Sequence, residues 1–160
     1  MNSAAILDQN RTDCRINAGQ MICDDACRDL ADIGGAILFN ASLREQIPGK
    51  FIFWGPYVGL AAGVYLVTVN GEMAGRMTLD FVCHQASTQL KTVTLEDLSQ
   101  PVCLVLMQAV KDLEIRALKT PLLRSFALES IDIRCAYLAP QETGAEGAAA
   151  VAADGYGAAA

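Results

Sequence analysis

From Gly34 onward the apolar residues fall in short runs, many of them alternating with polar ones, and Gly, Pro, Asn or Ser separates one run from the next. Strict alternation over four to eight residues is the mark of a strand with one buried face. In Val64–Val69 the side chains of Val64, Leu66 and Thr68 oppose those of Tyr65, Val67 and Val69. In Met77–Cys83 one face is Met77, Leu79, Phe81 and Cys83, and the other is Thr78, Asp80 and Val82. Leu113–Leu118 places Leu113, Ile115 and Ala117 inward with Glu114 and Arg116 outward, and in Phe126–Cys135 Ile131, Ile133 and Cys135 oppose Asp132 and Arg134. Leu90–Leu95 alternates without showing which face is buried. Val102-Cys-Leu-Val-Leu-Met107 is continuously apolar, the pattern expected of a strand covered on both faces. Ala36–Phe39 and Phe51–Leu60 bring the expectation to about eight strands.

The turn residues suggest connections. Ala61-Ala62-Gly63 is read as reversing Phe51–Leu60 into Val64–Val69 as a hairpin, and Asn70-Gly71 as a second tight reversal. The fold expected is all-β, an antiparallel jelly-roll-type β-sandwich spanning residues 34–138. Residues 1–33 read as irregular, with one short helix over Asp24–Ile33 in which Ala26, Leu30 and Ile33 share a face and Asp24 or Asp25 caps. Residues 139–160 read as a disordered tail, since thirteen of the last twenty residues are Ala or Gly and supply little apolar surface to offset ordering entropy.

Composition narrows the partners. The chain of 160 residues is long enough for one ordinary core. Its formal charge of −6 and scattered Lys and Arg repel phosphate backbones, which sets nucleic acid aside. The start, Met1 to Asn10, has no basic region followed by a continuous apolar stretch, so the expectation is a cytoplasmic protein. Phe51–Asn70 is too punctuated by Gly and Pro for a membrane span. Without an export signal, Cys14, Cys23, Cys27, Cys83, Cys103 and Cys135 are expected as free thiols, the last three acting as small hydrophobes inside strands.

Residues 53–69, Phe-Trp-Gly-Pro-Tyr-Val-Gly-Leu-Ala-Ala-Gly-Val-Tyr-Leu-Val-Thr-Val, resemble the GPY-x-x-L-x-A-G-x-Y-x-V hairpin of carbohydrate-binding-module-like, galactose-binding-like β-sandwiches. Such domains often accompany bacterial glycosyltransferases. The resemblance continues loosely through Gly71–Phe81, Pro101–Met107, Leu113–Arg116 and Leu128–Ile133, so it covers roughly residues 34–135. It implies a sandwich that hosts sugar binding, protein interaction or a purely structural role. It also implies a structural calcium held by acidic residues near the start and an Asp near the end, for which Asp132 is the weak candidate. The paired N-terminal Glu of that pattern is absent, and Asp24 and Asp25 are only a loose substitute.

A sugar site needs an exposed ring for the apolar face of a pyranose and planar polar groups for its hydroxyls. Trp54 and Tyr57 are the candidate rings and His84, the single histidine, a candidate hydrogen-bonder, while a core role for Trp54 and a solvated turn for His84 compete with those readings. Cys23-Asp-Asp-Ala-Cys27 has a zinc-compatible spacing but no second pair. No nucleophile elbow, phosphate loop or His-Glu-x-x-His motif is present, and Asp80, Glu114, Glu129 and Asp132 are equally accounted for as outer-face polar positions. The expectation is a non-catalytic module with no cofactor, binding a carbohydrate or positioning a polysaccharide-processing partner. The alternative is an assembly protein that packs through sandwich edges or an apolar surface into homo- or hetero-oligomers, suggested by a mean hydropathy of +0.29.

Overall fold

The computed structural model describes residues 13–28 and 35–140. Eleven strands form two antiparallel sheets that face one another across a single core. The first sheet runs β1 (Asp13–Asn17), β11 (Leu123–Leu138), β6 (Gly63–Gly75), β9 (Val102–Leu106), with β3 (Ile37–Asn40) beside β1 on the same edge of β11. The second runs β2 (Ile22–Cys23), β4 (Phe51–Trp54), β10 (Val110–Leu118), β7 (Met77–Cys83), β8 (Thr88–Leu95), and β5 (Pro56–Leu60) continues the line of β4 along β10. Among the described residues no helix is long and apolar enough to cross a membrane.

The inward parities read from the sequence meet in the core. Tyr65, Val67 and Val69 of β6 face Leu79 and Phe81 of β7 and Leu113, Ile115 and Ala117 of β10, all buried. Phe53 of the second sheet and Phe126 of the first stack with centroids 5.8 Å apart. Each such side chain removed from water contributes about 1.5–3 kcal/mol, which is why one face of every long strand is apolar.

Connectivity departs from expectation. Phe51–Val69 is not a hairpin: β5 hydrogen-bonds to β10 in one sheet and β6 to β11 and β9 in the other, so Ala61-Ala62 carries the chain across the sandwich. An alternating strand has the same sequence whether its successor pairs with it or crosses to the opposite sheet. β7 and β8 are the one sequential pair that hydrogen-bond to each other among the described residues. Asn70-Gly71 does not reverse the chain either. It lies within β6, where Asn70 pairs with Ser130 and Gly71 with Leu128, so Glu129 is the extra residue of a bulge in β11. Gly71 has φ +155°, and a Cβ there would run into the carbonyl oxygen of Ala127.

Three further expectations are corrected. The segment read as irregular holds β1, whose Ile16 is buried with Cys14 packed against the core beside it, and whose five residues pair with Ser130–Arg134. In place of the helix from Asp24, one 3-10 turn over Asp25–Cys27 is capped by Asp24 and followed by Arg28 bridging to Ile37; residues 29–33 of that helix lie outside the described residues, as does most of the tail. β9 is buried on one face only: Val102, Leu104 and Leu106 point inward while Cys103 and Val105 stand exposed. Its apolar outer positions arise at an edge, not under a second layer.

Arg28 fastens the N-terminal segment. Its guanidinium donates to the carbonyls of Ala18 (2.9 Å), Gly35 (2.6 Å) and Met21 (2.6 Å), closing backbone acceptors that no ladder reaches.

Candidate functional site

β4 and β5 are one line of chain broken at Gly55, and the break places the aromatic residues. Ile52 and Phe53 are both buried, a register shift opposite Ala117 and Leu118 separates Phe51 from Phe53, and Phe51 and Trp54 are half-buried. Gly55 then takes φ +114°, a value open to glycine, and its carbonyl accepts from the Ile115 N–H at 2.6 Å. The Gly55-Pro56 bond is cis, and Pro56 comes into register with Glu114 of β10. Tyr57 follows with φ +70°, a left-handed conformation that costs a bulky residue on the order of 1–3 kcal/mol. Its ring stands 40% exposed.

Trp54 and Tyr57 thus line one cleft of about 380 Å³ with Phe51, Lys50, Asp24 and Glu114. A volume in this range suits a small ligand. Its polar lining is Glu114 of β10 with Asp24 and Lys50, and a polar network behind Glu114 joins β10 to β7. Glu114, outward by parity, is only 8% exposed, and Tyr57 Oη lies a long 3.4 Å from its Oε2. Next along β10, Arg116 donates to Asp80 at 3.1 Å, while its guanidinium lies 4.4 Å from the centroid of Phe51. Asp80 also accepts from Thr92 at 2.6 Å and from Gln89 at 3.2 Å. The Nε of Arg116 is buried without a hydrogen-bond partner. Burial, then the charge of Glu114 and the contact with it, push the Tyr57 hydroxyl above its ordinary pKa, so it remains a neutral donor at physiological pH.

The arrangement combines the exposed ring of Tyr57 and the half-buried ring of Trp54 with the carboxyl group of Glu114. Trp54 and Tyr57 were legible as candidates. Phe51, Lys50 and Glu114 were not, because the sequence shows that Glu114 points outward but not that β4, β5 and β7 lie beside it.

His84 does not line this cleft. It opens the turn from β7 to β8, where His84, Gln85 and Ala86 all take left-handed φ of 56°, 56° and 67°. Asp112 of β10 holds the turn by accepting the N–H groups of His84 and Gln85, each at 2.8 Å. The His84 ring packs its Nδ1 3.1 Å from Thr88 Oγ1. Burial raises the Asp112 pKa, yet the two amide donors and the nearby His84 outweigh it and leave the carboxyl below its usual range.

Asp132 is engaged by donors. Arg15 grips it with Nε at 2.7 Å and Nη2 at 3.0 Å, and Asn70 donates to it at 2.9 Å. The guanidinium holds the position a calcium ion would need, so these residues do not fit that cation. Asp24 caps its turn in the region of the second sheet's edge. Cys27 is pushed up to about 11 by burial, then by Cys23 and Asp24, and Cys23 is likewise raised by burial, which keeps both thiols protonated. Among the described residues no three His, Cys, Asp or Glu side chains converge as a metal site.

No family model and no curated protein matches this chain. A solved structure, described as the Glycosylation Associate Protein (Gap123) complex from Streptococcus agalactiae, is similar in fold with a TM-score of 0.52 at 13% sequence identity. The match covers 77% of this chain and 25% of that one, so this chain spans about a quarter of its neighbour's length. At that identity the likeness concerns the fold alone.

Proposed function

We propose that this chain is a non-catalytic β-sandwich module that binds a glycan in the Trp54–Tyr57 cleft. The observation that carries the reading is the kink at Gly55–Tyr57, which turns two rings outward into one cleft beside the nearly buried Glu114. A strained, exposed tyrosine costs stability, and such strain clusters at binding sites. Stacking a pyranose on Trp54 or Tyr57 while Glu114 accepts its hydroxyl protons uses what each group offers. The structural neighbour belongs to a glycosylation-associated protein complex, which lends the reading its direction and names no ligand for this chain.

Titration calorimetry against a panel of oligosaccharides tests it. Binding of one sugar class is expected, with Trp54→Ala lowering affinity at least tenfold. Because Trp54 is half-buried, Tyr57→Asn is the second variant: asparagine tolerates the left-handed backbone and removes only the ring. It should weaken binding by a similar factor with the melting temperature unchanged or raised. Absence of binding by every sugar class at millimolar concentration overturns the proposal.

A further inference from the structure

We propose that β9 is an association edge on which a second copy of this chain adds its own β9, antiparallel, about a two-fold axis through Leu104. β9 pairs with β6 from Gly63↔Leu106 to Val67↔Val102 without a register shift, and among the described residues no strand pairs its other side. Exposed edges of this kind are usually blunted by charge, proline, bulges or shortness. The other outermost strands follow that rule. β1 carries Asp13 and Arg15, β2 has two residues, β3 has four and is bridged at Ile37 by Arg28, β5 opens on Pro56, and β8 carries Lys91 and a register shift. β9 has none of these, and from Leu98 to Val110 there is no Asp, Glu, Lys, Arg or His.

The solvent face beside this edge is apolar as well. Val105 is 53% exposed and Met107 86%, Val105 lies opposite Val64, and Val64 lies opposite Tyr137, itself 57% exposed. An apolar strip therefore runs from the open edge onto the sheet. Its occupant is argued from charge. The run is preceded by Glu96 and Asp97 and followed by Lys111 and Asp112, whose charges cancel. Antiparallel addition of a second copy sets the two acidic flanks at opposite ends of the seam, whereas parallel addition sets them side by side. Two bodies of charge −6 repel at a distance, and an uncharged seam is where they can touch. About Leu104, Val102 faces Leu106 of the second copy on the core side, and Cys103 faces its Val105 on the solvent side. Every side chain in the seam meets an apolar one.

This inference is independent of the glycan reading. Sedimentation of the full chain over a wide concentration range should show a monomer–dimer equilibrium. Val105→Lys places a charge on an exposed position, so it should weaken dimerisation at least tenfold while the melting temperature of the dilute monomer stays put, and Leu122→Lys, exposed in the turn before β11, should leave the dimer intact. Val105→Cys sets a thiol opposite Cys103 of the second copy, so mild oxidation should give a covalent dimer that is lost when Cys103→Ser is added. A monomer at every concentration, or a dimer that persists in Val105→Lys and fails to cross-link in Val105→Cys, overturns the proposal.

Discussion

Single side chains hold this protein at places its ladders do not reach. Arg28 is the clearest case, with three backbone carbonyls on one guanidinium. Arg28→Met keeps the stem and removes the donors, taking the guanidinium from the Gly35 and Met21 carbonyls and leaving Ala18 with the Met21 N–H alone. It should cost about 2–4 kcal/mol in urea unfolding, since hydrogen bonds to charged groups are each worth about 1.5–3 kcal/mol and do not add fully. Arg44 works similarly on the carbonyl of Thr120 at 2.7 Å, with its guanidinium over Phe39. None of this was legible in the sequence, where Arg28 and Arg44 are two among scattered basic residues. Trp54 and Tyr57 were legible as candidates because a sugar site needs a stacking ring, although a core role for Trp54 competed with that reading. Their polar companions were not, because Glu114, Arg116 and Asp80 come together only through the register of β10 with β5 and β7.

At the scale of elements, the period of two located the strands and their inward faces, and it could not say which strand lies beside which. The Phe51–Val69 segment shows why. Val58, Leu60, Tyr65 and Val67 are all buried, as a hairpin would require, yet they belong to opposite sheets. Asn70-Gly71 carried a strong turn signal, and a long partner strand overrode it by absorbing the glycine into a ladder with a bulge. Gly71→Ala tests that account: the added Cβ meets the Ala127 carbonyl of the neighbouring strand, so β6 and β11 must part locally. A loss of at least about 2 kcal/mol is expected by chemical denaturation. A turn residue with room around it would lose far less. β9 carries the opposite lesson, since its continuous apolar run reflects an uncovered edge and not burial on two sides.

Over the whole molecule, three depressed carboxyls among the described residues set the response to acid, one of them the exposed Asp97, lowered by its hydrogen bonds with Ser99. Asp112, which holds the β7–β8 turn, and Asp132, lowered chiefly by Arg15 and further by Asn70, both titrate below their ordinary values in the folded state. The unfolded chain therefore binds more protons than the native one once the pH nears about 4, so stability rises with pH there and levels off above the unfolded value. Thermal melts from about pH 6 to about pH 3 should show a falling midpoint, and Asp112→Asn should make that fall shallower while lowering the plateau at neutral pH. The same molecule has a chronology built into it. β6 finds its principal partner in the last strand, from Gly63↔Leu138 to Gly75↔Leu123, and β1 waits for that strand as well. On a ribosome, β7, β8 and β10 of the second sheet are complete and can pair before any residue of β11 has been made. The first sheet closes only when the end of the domain emerges, so folding is governed by distant contacts and is slow for the chain's size. Until then β6 stands with one side open, and the nascent chain is most vulnerable to mispairing in the interval between the emergence of β6 and that of β11.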